Sequence, residues 1–136
     1  IKIRGQVMGV VRLAKERAGE EWNDKEIELM ETLTEQLGVA LESARLYEET
    51  QRRAERERLA GILKARPDIR QVWPSDANFL LVEAVDPAGL VEAARRGGVL
   101  LRDFSWDPWL SNAVRITVGS PEQNARLLAA LDDMTE

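Results

Sequence analysis

The stretch RERLAGILKARPDIRQVWPSDANFLLV, residues 56–82, changes its pattern from helix to strand partway along. Leu59, Ile62 and Leu63 recur at steps of three and one, which is typical of the apolar side of a helix. Pro67 ends that helix, because proline removes a backbone donor and restricts the residue before it. Two β-rich runs follow, IRQVWPS at 69–75 and NFLLVEAV at 78–85. The stretch therefore predicts a helix that leads directly into two strands.

The residues after this stretch predict two more helices and two more strands. The run 86–98 starts a helix with Asp86 as cap and Pro87 in the first position, and 120–134 starts another with Ser120 and Gln123 as a capping box. The runs 99–105 and 113–120 are β-rich. We predict an α/β fold of the α+β type, with two layers in which helices pack on a mainly antiparallel sheet.

The residues before the stretch predict one long helix, over 24–66. Asn23 is the expected cap, Glu26 completes a capping box, and Trp22 is placed to pack on Ile27 as a hydrophobic staple. One apolar stripe follows, made by Ile27, Met30, Leu33, Leu37, Leu41, Ala44 and Tyr47. Between residues 48 and 58 the only apolar residue is Ala54. The helix is therefore expected either to continue and pair with a partner or to break in this polar stretch. The pattern leaves both possibilities open.

The N-terminal residues predict a β-hairpin, because β-rich runs flank the Gly-containing pair at 5–6. The sequence begins inside the first of these runs and lacks the features of a signal peptide, so we expect a piece cut from a longer protein.

Composition excludes several classes of function. The chain has 136 residues, enough for one domain or two very small ones, and its net charge of −5 argues against nucleic acid or anionic membranes as partners. Cysteine and histidine are both absent, which excludes disulfides, a Ser-His-Asp relay and an imidazole metal site. We expect no metal, no cofactor and no membrane span, with the cytoplasm as the default compartment.

Residues 1–54 resemble the C-terminal part of a GAF domain. The resemblance rests on IRGQVMGVVRL at 3–13, EEWNDKEIELMETL at 20–33 and LTEQLGVALESARLYEETQ at 33–51. It covers only closing strands and a last helix, so it does not imply the ligand pocket of that family.

Residues 55–136 resemble the C-terminal small domain of histidinol-phosphate aminotransferase. The motifs are the opening stretch, GGVLLRDFS at 97–105 and NAVRITVGSPEQNARLLAAL at 112–131. The family depends on pyridoxal phosphate. The resemblance implies that its catalytic lysine lies in a large domain outside this sequence. Lys2, Lys15, Lys25 and Lys64 all fall outside the family's lysine motif.

The resemblance also implies roles for three residues. Arg102 matches an arginine that helps hold the substrate phosphate, and Arg115 matches the arginine that grips the substrate carboxylate. A guanidinium group suits both roles, because its planar fork donates parallel hydrogen bonds to an oxyanion. The alternative is that each arginine forms an ion pair at a surface or interface. For Asn78 a turn or capping role is expected. Trp106 and Trp109 are expected to pack over the sheet, with an exposed interaction site as the alternative.

Three functional hypotheses follow. The first is an engineered or recombined chimera of the two segments, built to test fold construction and without evolved activity. The second is a dimerisation or interaction module that self-associates through the stripe of helix 24–66 or through a sheet edge. The third is a vestigial phosphate- or carboxylate-binding fragment of an aminotransferase that uses Arg102 and Arg115. In all three the chain by itself is not expected to be an enzyme.

Overall fold

The computed structural model describes residues 1–3, 6–7, 9–15 and 19–134. The elements are β1 (Lys2–Ile3), β2 (Gln6–Val7), α1 (Asp24–Lys64), β3 (Ile69–Val72), β4 (Phe79–Ala84), α2 (Pro87–Arg96), β5 (Arg102–Asp103), β6 (Ala113–Thr117) and α3 (Pro121–Asp132). The chain divides into two compact units, an N-terminal unit of Ile1–Glu49 and a C-terminal unit of Thr50–Glu136. The division falls inside α1, whereas the sequence placed the boundary after residue 54.

The C-terminal unit contains a four-stranded sheet with the order β3-β4-β6-β5. Every neighbouring pair of strands is antiparallel. The predicted class, helices packed on a mainly antiparallel sheet, is confirmed. The strands at 69–75 and 99–105 are shorter than predicted, since β3 ends at Val72 and β5 has two residues.

The burial of side chains alternates along β4 and shows which face of the sheet is covered. Leu80, Val82 and Ala84 are buried, and the residues between them are half-buried. Successive side chains of a strand point to opposite faces, so one face of the sheet meets the helices. The buried cluster on that side includes Leu59, Leu63, Leu80, Val82, Leu90, Val114, Ile116, Leu127 and Leu131.

Local signals fix the ends of α2 and α3. The Asp86 side chain accepts a hydrogen bond from the Gly89 backbone at 2.9 Å, as predicted for a cap. Ser120 and Gln123 form the predicted capping box. Gly98 follows α2 with φ 77°, in the left-handed region that favours glycine. A Cβ on Gly97 would lie 2.4 Å from the Cβ of Ala130, so this position brings α2 close to α3.

The N-terminal unit contains a hairpin that is shorter than predicted, together with the first part of α1. Strand β2 ends at Val7, and the described residues 9–15, which were expected to continue it, form no strand. Lys2 pairs with Val7 and Ile3 with Gln6, so Gln6 of the expected turn at 5–6 belongs to β2, while Gly5 lies outside the described residues. Helix α1 is continuous over 41 residues, so it does not break in the polar stretch. Trp22 and Ile27 line the same groove but remain 38% and 44% exposed, which is less burial than a hydrophobic staple would give.

The helices of the described residues include none that is long and apolar enough to cross a membrane.

Candidate anion-binding site

Two arginines lie side by side on the face of the sheet that is turned away from the buried cluster. We call this the outer face, defined by Phe79 and Leu81 of β4, Arg115 of β6 and Arg102 of β5. Arg115 is the register partner of Leu81 on one side and of Arg102 on the other. Directly opposed residues of antiparallel strands project to the same face. Arg102 is exposed and Arg115 is half-buried.

An aromatic ring accompanies each guanidinium group. The Arg115 guanidinium carbon lies 5.4 Å from the centre of the Phe79 ring, and that of Arg102 lies 5.9 Å from the Phe104 ring. These are cation–π distances, and the interaction occupies no N–H donor. Each guanidinium is therefore held at the outer face while its hydrogen-bonding groups stay available.

Neither guanidinium group has an ion-pair or hydrogen-bond partner within the part of the chain that the structure describes. The nearest carboxylates on these strands have other contacts. Glu83 lies 3.6 Å from Arg70, and Asp103 accepts a hydrogen bond from the Ser105 hydroxyl at 3.0 Å. An ion pair within the described chain, the alternative for both arginines, is therefore not observed. Two adjacent positive charges make this face locally positive on a chain of net charge −5.

Asn78 lies in the turn before β4 but does not organise it with its side chain. Its carbonyl accepts a hydrogen bond from the Val118 backbone at 2.8 Å, which extends the pairing of β4 with β6. Ser75 organises the turn instead, donating to the Phe79 carbonyl at 2.7 Å and accepting from the Ala77 backbone at 3.1 Å. In the sequence, Ser75, three positions before Asn78, was the residue that indicated this turn.

Arg56 of α1 also fixes this turn. Its guanidinium donates hydrogen bonds to the carbonyls of Asp76 and Ala77, both at 3.1 Å. The interleaved Glu and Arg residues of 51–58 are typical of an exposed helix with local i,i+4 pairs. Arg53 and Glu57 form such a pair at 3.1 Å, whereas Arg56 contacts the turn before β4 instead.

Asn23 and Glu26, which were predicted to form a capping box, lie at the start of α1 in the N-terminal unit. The Asn23 backbone donates to Glu26 and the Glu26 backbone donates to the Asn23 side chain, each at 3.0 Å. Lys15 donates to both carboxylate oxygens of Glu26, at 2.7 and 2.8 Å. The Lys15 hydrogen bond, followed by that of the Asn23 backbone, lowers the pKa of Glu26 below its usual value. These contacts give Lys15, Asn23 and Glu26 a structural role at the start of the helix.

A polar network joins α1 to α3 through Glu55 and Asn124. The sequence did not predict this contact. Asn124 is 2% exposed and donates to Glu55 at 3.0 Å and to the Gly119 carbonyl at 3.1 Å. Glu55 accepts two hydrogen bonds from Arg58, at 2.6 and 2.9 Å. The Arg58 hydrogen bond, opposed by partial burial and helped by Asn124, lowers the pKa of Glu55. Glu55 therefore lies at the edge of the core of the C-terminal unit, half-buried between Arg58 and the buried Asn124.

Arg66, in the turn after α1, connects that turn to the C-terminal end of α3. It lies 2.9 Å from Asp68 and 2.5 Å from Asp132, and it donates to the Leu131 carbonyl at 2.7 Å. Burial opposes its charge, but the hydrogen bonds to Asp68 and Asp132 raise the pKa of Arg66 above its usual value. Helix α1 ends at Lys64, two residues before the end predicted from Pro67.

The two tryptophans between β5 and β6 are exposed, Trp106 at 69% and Trp109 at 93%. The expectation that they pack over the sheet is wrong. Trp106 contacts Phe104, with ring centres 6.2 Å apart, so the aromatic neighbours of Arg102 extend along this loop.

No family model matches the chain. The relatives found by sequence are aminotransferases. The chain is 49% identical over 82 residues to histidinol-phosphate aminotransferase of Xylella fastidiosa strain 9a5c, and 47% identical over 87 residues to that of Xanthomonas campestris pv. campestris strain B100. These matches cover 60% and 64% of this chain but only 22% and 24% of the relatives. The chain therefore spans about a quarter of the length of the curated relatives it matches.

A solved structure is also similar. It is that of a candidate aminotransferase from Burkholderia pseudomallei K96243, with 32% identity and a TM-score of 0.58 over 74% of this chain and 31% of that protein. Sequence and structure thus agree on an aminotransferase-like segment.

These matches correct the first functional hypothesis. The similarity to natural aminotransferases points to a natural, aminotransferase-related sequence, so the expectation of an engineered or recombined chimera without evolved activity is wrong. The comparisons give no evidence for the GAF resemblance of residues 1–54, which stays a prediction.

Within the described ranges, the residues do not form a cradle for pyridoxal phosphate. The Lys15 amine is bonded to Glu26, and Lys25 and Lys64 are exposed on α1. None of the four lysines of the sequence belongs to the sheet that carries Arg102 and Arg115. No catalytic step through the cofactor is derived from these residues.

Proposed function

We propose that this chain is the small-domain segment of an aminotransferase and that its outer face binds the anionic groups of the substrate. The observation that carries the proposal is the pair Arg102 and Arg115, two guanidinium groups on neighbouring strands with no partner within the described residues. The aminotransferase relatives support the reaction class.

Each arginine contributes binding and orientation. A guanidinium fork can donate two parallel hydrogen bonds to a carboxylate or a phosphate, and the cation–π contacts with Phe79 and Phe104 limit its motion. We assign the carboxylate to Arg115 and the phosphate to Arg102. No proton transfer is assigned to either residue, because arginine stays protonated at physiological pH.

The test is a titration of the chain with histidinol phosphate, the compound in the relatives' name, followed by tryptophan fluorescence. Trp106 adjoins the Phe104 ring next to Arg102, so occupancy should change its emission. We expect saturable binding that weakens about tenfold in Arg102→Gln or Arg115→Gln, since a hydrogen bond to a charged group contributes about 1.5–3 kcal/mol.

The matched control is Arg96→Gln, which removes an exposed arginine of α2 outside the sheet. It should leave the titration unchanged. Absence of any saturable change at millimolar ligand, or an equal loss in the control, would contradict the proposal.

A second candidate function is self-association with another copy of this chain through the stripe of α1. Four of its seven residues are large apolar side chains about half exposed: Ile27 at 44%, Leu33 at 52%, Leu37 at 43% and Leu41 at 45%. Their spacing is that of a helix seam, and the seam stops where the polar residues 48–58 begin.

Light scattering after size exclusion tests this candidate. A mass stable on dilution at twice the 15.3 kDa chain is expected for a dimer. A mass of one chain at all concentrations, or a dimer that survives Leu37→Glu together with Leu41→Glu, would rule out the stripe as the contact.

A further inference from the structure

We propose that two copies of this chain pair through α1 in antiparallel orientation, with a twofold axis at Leu37. This inference rests on the second candidate function, self-association through the apolar stripe, and adds to it the orientation, the register and the residues that select them. The contact lies within the N-terminal unit, because the stripe ends at Tyr47 and that unit extends to Glu49.

The spacing of the stripe is symmetrical about Leu37. Its other members lie four, seven and ten residues away on either side, as the pairs Leu33 and Leu41, Met30 and Ala44, and Ile27 and Tyr47. A twofold dimer uses the same patch of both copies, so residue i of one copy meets residue j of the other, and j meets i. With the axis at Leu37, each apolar residue of one stripe therefore lies at the level of an apolar residue of the other.

The same register explains where the stripe stops. Helix α1 begins at Asp24, and with the axis at Leu37 this start lies at the level of Thr50 of the second copy. Helix residues after 50 then extend beyond the start of the other helix, so they need no apolar seam. Between 48 and 58 the only apolar residue is Ala54. In a parallel pair, by contrast, the two polar stretches would lie side by side without apolar contacts.

Charges beside the stripe favour the antiparallel orientation. Glu31 directly follows Met30, and Arg45 directly follows Ala44, so both lie on the same flank of the stripe, and both are exposed. In an antiparallel pair, each flank faces the same flank of the other helix, where charged residues select the orientation. The register places Glu31 of one copy within two residues, or about 3 Å along the axis, of Arg45 of the other. The twofold axis makes two such contacts of opposite charge.

A parallel pair would not form these contacts. Each residue would then lie at the level of its own copy, so Glu31 would adjoin Glu31 and Arg45 would adjoin Arg45. The two positions are 14 residues apart, which is about 21 Å along a helix. No side chain spans that distance, so Glu31 and Arg45 can meet only in the antiparallel orientation.

A groove beside the stripe fits the same occupant. Its lining includes the apolar side chains of Leu13 and Trp22 and the carboxylates of Glu31 and Glu35, all in the N-terminal unit. In the proposed register, Arg45 of the second copy lies at the level of the second turn of α1, next to this groove. A helix face that carries apolar side chains and one arginine complements a groove that is apolar and acidic.

The first experiment measures distances between spin labels on the two copies by pulsed electron spin resonance. The sequence contains no cysteine, so Gln36→Cys and Ser43→Cys each introduce one label site. These sites lie seven residues apart on one flank of the helix and are both exposed. We expect the two labels to be about 3 Å apart along the axis at position 36 and about 18 Å apart at position 43. A parallel pair would give equal distances at both sites.

The second experiment exchanges the charges beside the stripe. Arg45→Glu or Glu31→Arg places like charges in both contacts and should raise the dimer Kd about three- to tenfold in sedimentation equilibrium. The double variant restores opposite charges and should return the Kd to within about twofold of the wild type. The matched control is Glu28→Arg, which makes the same change of charge 2.5 turns from Leu37, on the side opposite the stripe. It should leave the Kd unchanged.

The outcomes separate the orientation from self-association itself. Equal label distances at positions 36 and 43, or a double variant that dimerises no better than the single variants, would overturn the antiparallel register and retain the dimer. A mass of one chain at all concentrations would defeat both. A dimer without dipolar coupling at either label site would place the contact outside the stripe and would also defeat both. Circular dichroism checks that each variant keeps its helical content.

Discussion

The two parts of helix α1 belong to different compact units and differ in burial. Leu59 and Leu63, in the C-terminal unit, are 0% exposed, whereas Ile27 and Leu41, in the N-terminal unit, are 44% and 45% exposed. Both pairs follow a helical apolar pattern, so the sequence predicts the helix equally well in both parts. Burial differs because the sheet of the C-terminal unit provides a surface for its apolar face. An apolar stripe therefore predicts a helix but does not specify what covers it.

The largest expected effect is that of Leu63→Ala. Leu63 is fully buried, so its truncation leaves a cavity and should lower the free energy of unfolding by about 2–5 kcal/mol in chemical denaturation. Val39→Ala is the control, since Val39 is 64% exposed and lies outside the stripe. Its expected change is within about 0.5 kcal/mol. An equal loss of unfolding free energy in both variants would contradict the difference in burial between the two parts of α1.

Gly97→Ala is expected to lower the free energy of unfolding by somewhat less than Leu63→Ala does. The added Cβ would lie 2.4 Å from that of Ala130, so α2 and α3 must shift, at a cost of about 1–3 kcal/mol. Gly61→Ala provides the opposite case in α1, because nothing lies within 4 Å of its added Cβ. There, the better helix propensity of alanine should add about 0.5–1 kcal/mol. Thermal melts of the two variants should therefore shift in opposite directions.

Glu55→Gln should remove about 1 kcal/mol at pH 7 by weakening the buried link to Arg58 and Asn124. The pKa of Glu55 is lowered in the folded state, so its contribution is present above the unfolded pKa and is lost as the pH falls through the lower folded pKa. The difference between wild type and variant should shrink below about pH 4.5. Glu57→Gln, at an exposed i,i+4 pair, should show a smaller and flatter difference in the same urea titrations.

The smallest effect is expected for Leu37→Ala. Its side chain is 43% exposed, so in a dilute sample the loss should be about 1 kcal/mol or less. If a second copy covers the stripe, the loss measured by thermal melts grows with protein concentration. A loss that is the same across a hundredfold concentration range would argue against the dimer.

The fold could be predicted because its signals are local. Pro67 after α1, Asp86 before α2 and the pair Ser120 and Gln123 before α3 each act within a few residues. The candidate site could not be predicted in the same way. Arg102 and Arg115 were selected by family resemblance, and their direct opposition depends on the register of two strands, which no local pattern encodes.

Contacts with residues distant in sequence, or their absence, explain the other features that were not predicted. Asn124 looks like an ordinary polar helix residue, because its partner Glu55 is 69 residues away in sequence. Trp109 was expected to pack over the sheet, but its loop presents it to solvent. The polar stretch around Glu55 was likewise read as solvated, since the sequence cannot show which charged side chain contacts another element.

The Arg66 connection has a consequence for how the protein is made. Arg66 binds Asp132 and the Leu131 carbonyl, across 66 and 65 residues. On the ribosome these partners are synthesised after every strand of the sheet, so the C-terminal unit cannot complete its core until α3 has emerged. Protease resistance of stalled nascent chains should therefore appear in one step after α3 leaves the exit tunnel, and not gradually as each strand is added.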